Sequence, residues 1–290
     1  MLRSIAAISA LSFVPVAHAA PKAVTIGVVA DGDWFVSDAI LGSFEDEITL
    51  LLEGEFEARF PESKRFVGEW NEASVGRALD RALADDEVDL ILGMGLIATH
   101  LAGKRDALAK PLVGPVVVDP EVQGLPYVQG RGVSGKRNFT YVTNPLATLA
   151  DLEAFKRVAG VRNVVHLVTE GYPESVPSLG VNTQGVADEL GIQLSVQSVG
   201  ARAEDALAAL PSGIDGVYVG ALLALEPGQL EELAQGLADR GLPSFGQMGL
   251  SYVEAGLFMG IAVGYDVGRR ARRVALDVQR ILLGEAAADL

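Results

Sequence analysis

The chain contains no cysteine. That excludes disulfide bonds, and with them the diacylated cysteine by which an exported lipoprotein is anchored. Histidine is nearly as scarce, with three in 290 residues. His18 lies in the extreme N-terminal segment, which leaves His100 and His166 for the rest of the chain. Two isolated imidazoles and no thiol argue against a transition-metal cage, so no metal and no cofactor is expected. Basic residues are outnumbered: Lys and Arg total 23 against 38 Asp and Glu, a formal charge of -15. Such a chain is repelled by nucleic acid and by anionic membrane surfaces. Beyond the N-terminus no apolar run approaches the roughly 20 residues that span a bilayer. Hydrolase signatures are missing too: there is no G-x-S-x-G elbow and no H-E-x-x-H helix.

What is present begins with residues 1–19. Met1 and Arg3 precede an apolar run from Ile5 to Val16, and Ala17-His18-Ala19 closes it. A basic start, a short apolar stretch and an A-x-A exit describe a secretory leader cleaved near Ala19. The expected location is the periplasm of a double-membraned bacterium. An exported chain without disulfides must be held by core burial alone. With 49% apolar residues and length enough for two domains, this one can be.

Short apolar runs alternate with segments of helical period. Val24 to Val29 reads as a buried strand, and Ile40, Leu41, Phe44, Ile48, Leu51 and Leu52 then recur at helical spacing. Strands at 56–60, 88–92 and 112–118 follow, with helices around 75–84 and 97–108 between them. Asn144-Pro145 signals a helix start and the pattern begins again. Strands are expected at 164–168, 192–197, 216–219, 244–245 and 257–262, interleaved with helices. A last helix carries Val267, Ala271, Val274, Val278 and Ile281 on one side. Arg269, Arg270, Arg272, Arg273 and Arg280 form a solvated or salt-bridged face on the other. Strand-helix alternation makes parallel sheets covered by helices. The fold class expected is α/β, with two doubly wound parallel-sheet lobes joined by crossing hinge strands. Lobe 1 would comprise residues 20–142 with 263–290 returning to it, and lobe 2 residues 143–262.

In open parallel sheets ligands bind beyond the carboxyl ends of the strands. Candidate binding residues are therefore those at strand exits: Asp31, Asp33 and Trp34; Gly95 and Thr99; Thr169, Glu170 and Tyr172; Gly220; and Gln247. Gly93-Met94-Gly95-Leu96-Ile97-Ala98 fits a dinucleotide fingerprint, but it follows the third strand and not the first. The simpler reading is that its glycines let backbone N–H groups approach a ligand at a helix N-terminus. Gly130 to Lys136 nearly spells a P-loop, but Arg137 stands where Ser or Thr would hold magnesium. It reads as a loop. His166 lies mid-strand and reads as a satisfied core residue.

The order of elements resembles a type I periplasmic binding protein, and more closely the ABC-transporter substrate-binding proteins of tryptophan and tyrosine uptake. The resemblance is carried by Asn138-Phe139-Thr140, by Gly160 to Val165, and by Glu254 to Leu257 running through Gly264 to Ala271 and on to Leu283-Gly284-Glu285. It implies a hinged, non-enzymatic clamp that captures a small molecule, amino-acid-like or an apolar carboxylate, and docks on an ABC permease. It also implies a monomer, a hinge near Tyr141, Gly246 and Ala262, and a further strand after Leu290. Gly220 to Leu225 departs from the family, which usually places acidic or hydroxyl side chains there for a ligand ammonium. That apolar loop supports an alternative: a periplasmic sensor or accessory subunit of an export or signalling complex. A cleft enzyme would rest on Asp31, Asp33 and Glu170 alone.

Overall fold

The computed structural model describes residues 20–33, 37–143, 148–261 and 267–290. The expected leader, Trp34, the expected helix start at Asn144-Pro145 and the expected hinge position Ala262 lie outside the described residues. The first half of the chain runs β1 (Lys22–Ala30), α1 (Ser37–Leu52), β2 (Phe56–Arg59), β3 (Arg65–Val67), α2 (Glu72–Ala84), β4 (Leu90–Met94), α3 (Leu96–Lys104), β5 (Leu112–Val117) and β6 (Phe139–Thr143). The second runs α4 (Thr148–Ala159), β7 (Asn163–Thr169), α5 (Tyr172–Ser175), α6 (Pro177–Glu189), β8 (Gln193–Val199), α7 (Ala203–Ala208), β9 (Gly216–Val219), α8 (Gln229–Asp239), β10 (Ser244–Gly246) and α9 (Leu250–Glu254). α10 (Val267–Leu282) follows.

The protein is α/β with two parallel sheets. The first has the order β2-β1-β4-β5-β6, and the second β10-β9-β7-β8. β1 changes partner along its length: β2 pairs with Lys22 to Thr25, and β3 with Val28 to Ala30. Each sheet is apolar on both faces, as a sheet with helical crossovers must be. In the first, Val24, Ile26, Leu90 and Leu92 meet Phe44 and Ile48 of α1 and Val274 and Val278 of α10. Val29, Ile91 and Leu112 meet Val75 and Leu79 of α2 and Ile97 and Leu101 of α3 on the opposite face. In the second, Val165, Leu167 and Val217 meet α7 and α8, while Val164 and Tyr218 meet Leu152 and Phe155 of α4.

α10 therefore belongs to the core of the first sheet although it ends the chain. Three of its arginines form the salt-bridged face expected: Arg272 lies 3.2 Å from Glu47, Arg273 3.3 Å from Asp277, and Arg280 2.6 Å from Glu285. Arg270 departs from that expectation, because it is buried. The exposed pairs of Arg272 and Arg280 contribute at most about 1 kcal/mol each, and Asp277 is itself buried, so burial of the apolar side holds the helix. β3, α5 and α9 are elements the apolar pattern does not announce. The strand expected over 257–262 is reduced, among the described residues, to one bridge between Met259 and Phe245. The helix expected to reach Leu108 ends at Lys104 because Arg105 is extended.

Candidate functional site

The carboxyl ends of the strands in both sheets face one cavity of about 520 Å³. The first sheet supplies Ala30, Val67, Met94 and Val116, and the second supplies Val168 and Gly220. Leu179 and Val181 of α6 and Leu223 close it with further apolar surface. That volume and lining suit a small, mostly apolar molecule.

Asp31 follows β1 and is buried. Its two carboxylate oxygens accept hydrogen bonds from the backbone N–H groups of Ile97 at 2.9 Å and Ala98 at 2.8 Å, the first turn of α3. The Tyr172 hydroxyl also hydrogen-bonds to it. Gly95 permits this approach, because a Cβ there would stand 2.2 Å from the Asp31 Cγ. The donors expected for a ligand at the Gly93–Ala98 motif are thus taken by the protein's own carboxylate. Burial nonetheless outweighs these bonds and pushes the Asp31 carboxyl up to about 6.

Trp70 is the aromatic wall among the described residues. It sits beyond β3 with φ 58, and its indole covers Gly32, where a Cβ would stand 2.1 Å from the ring. Its ring lies 6.0 Å from that of Tyr172, edge-on at 74°. Its carbonyl oxygen would be 1.7 Å from a Cβ at Gly171, in the loop after β7. Tyr172 and Val176 join the apolar cluster of α2 and α3, so the two halves touch beside the cavity. Sequence reading missed Trp70 because β3, the short strand before it, carries no clear alternation.

The wall from the second sheet is more polar. His166 is buried, and neither ring nitrogen has a hydrogen-bond partner among the described residues. This corrects the expectation of a satisfied core histidine. The ring packs 4.8 Å from that of Tyr218, whose hydroxyl donates to Asp151 Oδ2 at 3.0 Å. Both His166 and Asp151 line the cavity. Burial pushes the imidazole down to about 4 and the Asp151 carboxyl up to about 6.

Of the sequence candidates, Asp31, Asp33, Gly95, Thr169, Tyr172, Gly220 and Gln247 line the cavity. Asp33 is exposed at its edge. The Thr169 hydroxyl is engaged, donating to the Ala221 carbonyl at 2.6 Å and accepting from Leu223 N–H at 2.9 Å. Thr99 is not a lining residue: it is buried, donating to the Gly95 carbonyl at 2.8 Å and accepting from Gln123 Nε2 at 2.8 Å. Glu170 is exposed and lies off the cavity as well. Its strand exit turns it outward, where Gly200 lies against its carboxylate.

These buried groups set a pH dependence. Asp31 and Asp151, raised from 3.8 to about 6, bind protons more readily folded than unfolded. His166, lowered from 6.5 to about 4, binds its proton more readily unfolded. Between about pH 6 and 4, folding takes up two protons at the carboxyls and forgoes one at the imidazole. These three groups make stability rise as pH falls from 7 towards 5, since the native state then binds the more protons. The Asp277 carboxyl, also raised by burial, adds to the rise, and the His100 imidazole, lowered by burial, opposes it. The lowered carboxyls of Asp85 and Glu285 work the other way, but they are surface groups paired with Lys64 and Arg280 and screened by solvent. Melting temperatures at pH 7 and pH 5 check this. A His166→Phe variant should steepen the rise, and a wild-type midpoint that drops on mild acidification would contradict it.

No family model matches the chain, and no curated protein matches it. Solved structures do. The ABC domain in complex with L-Trp from Streptococcus pneumonia is 19% identical with a TM-score of 0.69, covering 91% of this chain and 87% of that one. A conserved domain protein from Vibrio cholerae is 19% identical with a TM-score of 0.71, over 93% and 88% of the two chains. A leucine binding protein from Thermotoga maritima is 16% identical with a TM-score of 0.52, over 92% and 78%. The fold is that of the type I periplasmic binding proteins.

Proposed function

We propose that the protein is a solute-binding protein of an ABC importer, acting outside the inner membrane after loss of residues 1–19. It captures a small, mostly apolar molecule without turnover. Two hinged halves, 20–142 with 263–290 and 143–262, close on the solute, and the closed form docks on a permease. The observation that carries this reading is the cavity formed where the strand exits of both sheets meet. Similar folds with L-Trp and leucine in their names support a binding role. Tyr172, Gly220, Gln247 and the edge carboxylate Asp33 are its ligand neighbours, and Trp34, next to Asp33 in the sequence, is a further one. Asp31, Gly95 and Thr169 shape the walls.

A thermal-shift screen of small metabolites tests it, because a molecule that binds only the folded chain raises the melting temperature. At a concentration about a hundredfold above Kd the expected stabilisation is roughly 2.7 kcal/mol. Hits should also compact the protein in solution scattering. A broad panel that moves neither the melting temperature nor the scattering profile would sink the proposal.

A further inference from the structure

Gly220 lies at the wall of the cavity, and three polar atoms converge above it. A Cβ there would stand 3.0 Å from His166 Nε2, 3.5 Å from Gln247 Oε1 and 2.9 Å from the Leu167 carbonyl oxygen. Gly220, His166 and Gln247 all line the cavity. Burying an imidazole with neither nitrogen hydrogen-bonded costs free energy unless something else supplies the partner. The fold thus holds a buried polar group toward a mostly apolar space, which is how a binding site fixes one end of a ligand. The rest of the lining says which kind of group belongs there. Its ionisable members are three carboxylates, Asp31, Asp33 and Asp151, one histidine, two-faced in hydrogen bonding, one phenol, Tyr172, and one guanidinium, Arg65. Arg65 is already 3.4 Å from Glu45. The N-terminus of α3 is filled by Asp31.

We infer that the cavity takes an apolar solute whose polar group is a hydrogen-bond donor, an amine or a hydroxyl, seated over Gly220 against His166 and Gln247, and that carboxylates are rejected. This rests on the solute-binding reading and narrows its substrate class. The imidazole is neutral at neutral pH, because burial holds its pKa near 4. It therefore accepts a hydrogen bond at one nitrogen without repelling a cation. The Gln247 oxygen supplies a second acceptor, while the Leu167 carbonyl is engaged by the Gly220 N–H at 2.9 Å.

The test uses compounds that share an apolar body and differ in their head. Tryptamine, tryptophol, indole-3-acetate and the headless 3-methylindole form one set. Isoamylamine, isoamyl alcohol, isovalerate and isopentane form a smaller one. Titration calorimetry at pH 7.5 should show the amine or alcohol of at least one set binding about tenfold tighter than its headless parent, the worth of one good hydrogen bond. The carboxylate should bind no better than that parent. His166→Phe and Gln247→Leu should each remove the gain of the headed compound over its headless parent when both are measured on the same variant, and far-ultraviolet circular dichroism checks that each variant is folded. A carboxylate that binds as tightly as the amine would overturn the inference, as would a gain that survives both substitutions. Either result leaves solute binding standing. If no compound of either set binds, headless parents included, the solute-binding reading loses its support and this inference falls with it.

Discussion

A Gly171→Val variant is expected to keep both sheets folded while the two halves stand apart at the cavity. The position tolerates no side chain, for two reasons. Its φ of 83 lies in the left-handed region that a β-branched residue adopts only with strain. A Cβ would also stand 1.7 Å from the Trp70 carbonyl oxygen, a backbone atom that cannot turn aside. The strain costs on the order of 1–3 kcal/mol, but the overlap is relieved only by withdrawing one loop from the other. The loop lies at the junction of the halves, and withdrawing it also draws Tyr172 away from the apolar cluster of α2 and α3. Solution scattering should show a larger radius of gyration than wild type. Affinity for any hit from the metabolite screen should fall at least tenfold, because the walls no longer meet around the solute. Far-ultraviolet circular dichroism should be unchanged. A variant with wild-type scattering and wild-type affinity would show that this contact has no part in closing the site.

Asp31→Ala should produce the largest loss of stability of any single change at the cavity. The substitution strands the N–H groups of Ile97 and Ala98 and the Tyr172 hydroxyl, all of which now bond to the carboxylate. A buried donor without a partner costs about 1–3 kcal/mol. Part of that is offset, because the wild-type carboxylate is itself penalised by burial. A net loss of about 2–4 kcal/mol is expected, seen as a fall of several degrees in melting temperature. The vacated space is then a helix N-terminus able to receive an anion. Sodium formate should therefore restore part of the lost stability in the variant, and should do nothing beyond an equal concentration of sodium chloride for the wild type. Equal responses of the two proteins to formate would show that Asp31 does not occupy an anion seat.

The frame of the molecule was readable from periodicity. Val24 to Val29 and the helical spacing from Ile40 to Leu52 are long apolar signals, and each forms the element expected. The short elements were not readable. Arg65, Phe66 and Val67 make β3 only because β1 offers a free edge at Val28 to Ala30, and that is a tertiary fact. Trp70 and its contact with Gly171 were hidden for the same reason. The site was legible in position, since most strand exits reach the cavity, but not in role. Asp31 looks like a ligand contact until α3 is seen to end on it. His166 looks like an interior residue until its ring is found beside Gly220 with no hydrogen-bond partner. Thr99 and Glu170 sit next to strand exits in sequence, yet one turns into the helix layer and the other to solvent.

α10 has a consequence for how the chain acquires its shape. Phe44, Ile48 and Leu52 wait for Ala271, Val274 and Val278, more than two hundred residues downstream. Nothing synthesised earlier can substitute for that layer, so the half begun first is the last to be completed. Contacts of such long range form slowly. During that interval Phe44, Ile48 and Leu52 stand without the α10 side of their layer, and the first sheet is covered on that face only when the last helix arrives.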